Sequence, residues 1–184
     1  IVTDMWTALL SAYPLLKLNG RQRLITSTGL GEMGFGLPAA VGASMATEGK
    51  EVLCLNCDGG MMFNLQELAT IKHHRLPIKI IVFCNEGYNM IKRSQEGLGM
   101  DHAASGAKDL SFPDWKHIAI AHDMEYGYIR TWDDFEKTMR VMHDGKRAML
   151  IEVTMDPDQK FGPKVPTLKD EHGKLYSPGL ETMV

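Results

Sequence analysis

One stretch, Glu51 to Met90 (EVLCLNCDGGMMFNLQELATIKHHRLPIKIIVFCNEGYNM), limits the possible folds more than any other part of the chain. Val52, Leu53, Cys54 and Leu55 form a short apolar run that ends at the turn signal Asp58-Gly59-Gly60. Leu65, Leu68, Ala69 and Lys72 then follow helical spacing. After Pro77 a second apolar run, Ile78 to Cys84, is rich in β-branched residues and stops at Asn85-Glu86-Gly87. Two buried strands joined by a helix predict a parallel βαβ unit. Such sheets bind ligands beyond the carboxyl ends of their strands, and both turns fall on that edge.

The residue types in the two turns suit a hard cation and a diphosphate. Magnesium takes a near-octahedral shell of oxygens, few of them from protein. Asp58 offers a charged oxygen, Asn85 a neutral one, and a carbonyl of the 85–87 turn a third. Gly59 and Gly60 let the backbone come close, and the helix that follows presents free N–H groups to an anion. Alone, Asp-Gly-Gly reads more readily as an N-cap and a tight turn. The second oxygen-bearing turn on the same edge weighs against that plainer reading.

An aspartate-glycine pair followed after 25 residues by asparagine, as between Gly59 and Asn85, resembles the diphosphate–magnesium motif of thiamine diphosphate enzymes. The likeness extends upstream through Thr28-Gly29-Leu30-Gly31-Glu32-Met33-Gly34-Phe35-Gly36-Leu37-Pro38-Ala39-Ala40 and onward through Asn64-Leu65-Gln66-Glu67-Leu68-Ala69-Thr70. These wordings are similar to the acetolactate synthase large-subunit branch and its synthase-like relatives. The resemblance covers roughly residues 1 to 160.

The resemblance implies roles residue by residue. Asp58, Asn85 and the Gly87 carbonyl would hold Mg2+, while Gly59, Gly60, Tyr88, Asn89 and Met90 would surround the diphosphate, the N–H groups of Tyr88 and Asn89 reaching phosphate oxygens. Gly31 would offer its carbonyl to the 4′-amino group of the aminopyrimidine, and Met33 its N–H to a ring nitrogen. The Met33 side chain would wedge between the two rings; the plainer reading of that methionine is core filling by a flexible thioether. A bent cofactor matters because proton abstraction needs the base within hydrogen-bond reach of its target.

Elsewhere the chain predicts a first strand at Ile1-Val2-Thr3, a helix from Met5 to about Tyr13, and a strand over Arg21–Thr26. A helix from Leu37 to Ala46 follows the glycine-rich loop. Gly29-x-Gly31-x-x-Gly34 fits a dinucleotide fingerprint, but no free acidic residue ends the next strand. Beyond Asn85 come a helix over 87–95, with Lys92 and Arg93 on a solvated face, and a loop over 96–112 read as mobile. Pro113-Asp114-Trp115 opens a helix to about Ala121, Gly127–Arg130 is a strand, Trp132 to about His143 a helix, and Ala148–Thr154 the last strand. The whole predicts a doubly wound α/β domain with a mainly parallel sheet over residues 1–155. Residues 156–184, with prolines at 157, 163, 166 and 178, read as an extended arm on another domain or subunit.

Composition narrows the partners. The net charge of −3 gives no reason to expect nucleic acid or an anionic membrane, and no apolar run approaches the ~20 residues of a membrane span. Cys54 and Cys57 alternate to opposite strand faces and have no second pair, so with Cys84 they read as buried thiols in a reducing cytoplasm. His73-His74 suits an exposed helix C-terminus.

Departures from the family pattern bear on the substrate. Cys57 stands where the motif has its first glycine, and Ser94 aligns with a tryptophan that shapes the acceptor pocket of acetolactate synthases. The family's activating glutamate comes from a separate pyrimidine-binding domain, and neither Glu32, Glu67 nor Glu86 matches it. The expectation is therefore the cofactor-binding part of a 2-ketoacid decarboxylating and ligating enzyme. It would be completed by a pyrimidine-binding domain of the same or a second chain in a homodimer or homotetramer, and alone would catalyse little. A subunit of a split 2-ketoacid decarboxylase and a non-catalytic nucleotide-diphosphate-binding module are the alternatives.

Overall fold

A computed structural model of the chain describes residues 1–160, 162, 165 and 167–183. Five parallel strands form its sheet: β1 (Val2–Thr3), β2 (Val52–Cys57), β3 (Ile78–Cys84), β4 (Glu125–Ile129) and β5 (Met149–Thr154). Their spatial order is β1-β2-β3-β5-β4. The helices are α1 (Thr7–Leu15), α2 (Gly36–Ala46), α3 (Asp58–Phe63), α4 (Glu67–His74), α5 (Asn89–Gly97), α6 (Trp115–Ala121) and α7 (Trp132–Asp144).

The alternation of β3 shows how both faces of the sheet are covered. Ile78, Ile80 and Val82 point into one layer with Leu37 and Val41 of α2, Leu68 and Ile71 of α4, and Trp115 and Ala119 of α6. Ile81 and Phe83 point the other way, toward Ala8 and Ala12 of α1, and Ile81 also meets Met139 and Met142 of α7. Helices on both faces make the doubly wound parallel arrangement that the apolar runs predicted. Cys54 and Cys57 fall in opposite layers and all three cysteines are free.

One lysine sits wholly within this framework. Lys79, near the start of β3, is 1% exposed and donates from Nζ to the carbonyls of Gly145 (3.0 Å) and Arg147 (2.6 Å) before β5. A buried ammonium is tolerated only when its donors are satisfied in this way.

Four local expectations change. Arg21–Thr26 is not a strand: Ile25 alone bridges Val2, because β1 is only two residues long and leaves one pairing position on that edge. The helix expected from Met5 starts at Thr7, since the Asp4 carboxylate takes the Met5 N–H at 2.7 Å and Trp6 turns to φ 60°. Asp58-Gly59-Gly60 is not a turn but the opening of α3, with Cys57 at the N-cap, and Asn64 interrupts the helical pattern before α4. Residues 96–112 are tied down: 96 and 97 finish α5, and Ser105 is 1% exposed with its hydroxyl donating to Gln95 at 2.9 Å.

The C-terminal arm carries a small antiparallel pair, β6 (Leu168–Lys169) with β7 (Leu175–Tyr176), and a short 3-10 turn at Leu180–Thr182. Its first residues lie on α5 of the same chain, where Lys92 pairs with Asp158, Arg93 donates to the Asp158 carbonyl, and Asn89 Nδ2 donates to Gln159 O at 3.0 Å. Lys92 and Arg93 are therefore not simply solvated. Pro163 and Pro166 lie outside the described residues.

Because Ile80 is fully buried in the central strand, Ile80→Ala should cost about 3 kcal/mol of unfolding free energy. Trp132→Ala, at a residue 82% exposed, should stay within about 0.5 kcal/mol. Urea denaturation of both variants checks the assignment of core and surface.

Candidate functional site

Register brings the two turns together. Cys57 of β2 stands opposite Phe83 of β3, so Asp58 leaves the sheet beside Cys84 and Asn85 one step later, on the same carboxyl edge. The Asp58 carboxylate joins them. Its Oδ2 accepts the N–H of Asn85 at 2.9 Å and of Glu86 at 2.8 Å, while Oδ1 accepts the Gly59 N–H at 2.7 Å. To fold around that carboxylate, Glu86 adopts a left-handed φ of 58°, a conformation uncommon outside glycine.

Asp58 is only 1% exposed, and burial raises its pKa from an ordinary 3.8 to about 6 against the opposing pull of its backbone N–H partners. Among the described residues, two side-chain oxygens nearby have no hydrogen-bond partner, Asn85 Oδ1 and Asn89 Oδ1, in residues 5% and 4% exposed. Orphaned buried oxygens beside a carboxylate are costly unless a ligand completes them.

The glycines here serve close approach. A Cβ on Gly59 would strike the Tyr88 ring, and one on Gly60 would strike Asp4 and Asn56. A Cβ on Gly87 would meet the Ser105 carbonyl. That carbonyl also accepts the Tyr88 N–H at 3.0 Å, so this N–H is already engaged and is not free for phosphate. Asn89 opens α5, where first-turn N–H groups lack intrahelical acceptors.

One cavity is lined by Met33, Asp58, Gly59, Gly60, Asn85, Gly87, Tyr88, Asn89 and Met90. The Met33 methyl lies over Gly59, 3.1 Å from where its Cβ would be. Gly31 is not in that lining; at φ 71° it rests behind the Met5 methyl. The walls also include Asp4, Met5, Trp6, Thr7 and Ile91, none of which sequence reasoning assigned to the site. Only an acid directly after a first strand hinted at Asp4. The dinucleotide fingerprint lacks its preceding strand, and Gly34 serves packing, since a Cβ there would fall 2.6 Å from Phe63 Cβ. Among the described residues no three His, Cys, Asp or Glu side chains gather to hold a metal, so a cation here would rest on one carboxylate and neutral oxygens.

The family described as thiamine pyrophosphate enzyme, C-terminal TPP binding domain, matches residues 4–153. The chain is 35% identical over 163 residues to the acetolactate synthase isozyme 1 large subunit of Escherichia coli K12, covering 89% of this chain and 28% of that protein. It is 36% identical over 145 residues to the isozyme 2 large subunit of the same organism, covering 79% and 26%. With the acetolactate synthase large subunit of Lactococcus lactis it shares 32% over 171 residues, covering 90% and 28%. The chain thus spans about a quarter of the length of these relatives.

The raised Asp58 pKa has a definite consequence for the chain without ligand. The folded state holds the proton more tightly than the unfolded one, so this stability is present below pH 3.8 and is lost as pH rises through about 6. Burial of Asp4 raises its pKa and acts in the same direction. Denaturant titrations at pH 4 and pH 7 should show the wild type losing on the order of 2 kcal/mol more than Asp58→Asn across that interval.

Proposed function

The chain belongs to the thiamine pyrophosphate enzymes through their C-terminal TPP-binding domain, and on that premise we propose that residues 1–155 anchor thiamine diphosphate through Mg2+ in an acetolactate synthase-like 2-ketoacid decarboxylating and ligating enzyme. The observation that carries the reading is the Asp58–Asn85 junction: a buried carboxylate and an unpartnered buried amide oxygen on one sheet edge. That donor set fits a hard cation with oxygen ligands. Asp58 and Asn85 would hold the metal with the Gly87 carbonyl, and the α3 N-terminus at Gly59-Gly60 and the α5 N-terminus at Asn89-Met90 would face the diphosphate.

When bound, thiamine diphosphate supplies the carbanion-stabilising chemistry, and the protein supplies binding and orientation. Met33, in the same cavity lining as Asp58 and over Gly59, is the side chain that would hold the rings bent. Gly31, outside the cavity lining, would act through its carbonyl. The apolar walls Met5, Trp6 and Ile91 would exclude water from the reacting end. Among the described residues, no side chain lining the cavity matches the activating glutamate of the family pattern. We assign that role to a pyrimidine-binding domain of the same or a second chain, in a homodimer or homotetramer that takes a 2-ketoacid. The three free thiols accord with a reducing cytoplasm, and we assign residues 156–184 to an extended arm on another domain or subunit.

Calorimetric titration of the chain with thiamine diphosphate tests this. Binding should need magnesium and be lost in Asp58→Ala, and ligand at about a hundred times its dissociation constant should add about 2.7 kcal/mol to stability. Preference for ADP or NAD over thiamine diphosphate would instead support a nucleotide-diphosphate module.

A further inference from the structure

The cavity has a second buried carboxylate that the proposed metal shell does not use. Asp4 is 2% exposed and directly follows β1, and its own N–H extends the ladder to Leu55 O at 2.8 Å. Both of its carboxylate oxygens accept the Gly34 N–H, at 3.1 and 2.9 Å, and Oδ1 also takes the Met5 N–H. On the other side of the same residue, the Gly34 carbonyl accepts from Asn64 Nδ2 at 2.8 Å. Gly34 is therefore gripped at both of its backbone polar groups by side chains 60 positions apart in the chain.

The surroundings are shaped to that grip. Gly34 has φ 88°, a conformation suited to glycine, and a Cβ would fall 3.0 Å from Asn64 Nδ2. A Cβ on Gly36 would fall 2.9 Å from Asp4 Cβ, and one on Gly60 would strike the Asp4 carboxylate. Neither Asp4 nor Asn64 hydrogen-bonds to Asp58 or Asn85, whose junction is completed by the N–H groups of Gly59, Asn85 and Glu86. The residue immediately before Gly34 is Met33, which reaches the cavity over Gly59.

We infer that Asp4 and Asn64 are a positioning pair: by clamping Gly34 they fix Met33, and with it the ring-facing wall of the cavity. This rests on the thiamine diphosphate reading above. The side chains act through the two backbone polar groups of Gly34. A carboxylate suits the first position because both its oxygens accept, whereas an amide would turn a donor toward an N–H.

The distinguishing measurement is the affinity of the chain for two ligands in magnesium, thiamine diphosphate and inorganic pyrophosphate, by calorimetry. Asp4→Asn and Asn64→Ala should each weaken thiamine diphosphate by about tenfold or more, as loss of an outer-shell support does. Pyrophosphate, which has no ring, should change by less than about twofold. Asn64 is only half-buried and gives the same reading should Asp4→Asn melt below the working temperature. Equal weakening of both ligands, or unchanged thiamine diphosphate affinity, would overturn the clamp. A wild-type chain that binds the two ligands equally would also overturn it, leaving no ring recognition to protect. A wild-type chain that binds neither would sink the cofactor reading itself, and this inference with it.

Discussion

Removing a carboxylate from water costs several kcal/mol unless something else solvates it, and at Asp58 the solvent is backbone. Three N–H groups, from Gly59, Asn85 and Glu86, converge on its two oxygens. They come from two βα connections far apart in sequence, so the carboxylate ties the end of β2 to the end of β3. Much of the local geometry follows: the left-handed Glu86, the close approach of Tyr88 to Gly59, and the buried Asn85 amide oxygen without a partner among the described residues. The same burial that makes the carboxylate costly also leaves its field little screened by solvent.

The strand framework was legible in the sequence because it is written in short-range patterns. Val52–Leu55 and Ile78–Cys84 are apolar on both faces, which only a covered parallel strand can use. That Asp58, Asn85 and Gly87 would come together was legible because they follow the ends of such runs, and a parallel register carries run ends to one edge. What could not be read was anything set by contacts between distant segments. Gly59 and Gly60 look like turn residues in sequence, yet they are helical glycines made necessary by Tyr88, Asp4 and Asn56. No local pattern announces that the Ser105 carbonyl occupies the Tyr88 N–H, or that an acid at position 4 reaches Gly34. Arg21–Thr26 failed for a related reason: its propensity for strand was real, but its neighbour was too short to pair with it.

The family match and the site's geometry address different questions. The match covers residues 4–153 and establishes the kind of domain, while the aligned residues make up 28% of the isozyme 1 large subunit. The geometry shows what holds two parts of the cavity wall: Asp58 accepts the Asn85 N–H between the two βα connections, and Asp4 accepts the Gly34 N–H in the 29–36 loop. Each half is held by its own buried carboxylate.

Lys79 lies at the far end of β3 from Asn85, six residues and about 20 Å away along the strand. Its ammonium reaches two carbonyls before β5 from the layer that holds Ile81. If β3 slid by one residue against its neighbours, that ammonium would turn into the layer of Ile78 and Ile80 with no acceptor, and Asn85 would leave the level of Asp58. The lysine thus acts as an indexing pin, and the spacing of oxygens at the upper edge is guarded from the bottom of the sheet by a residue with no chemistry of its own.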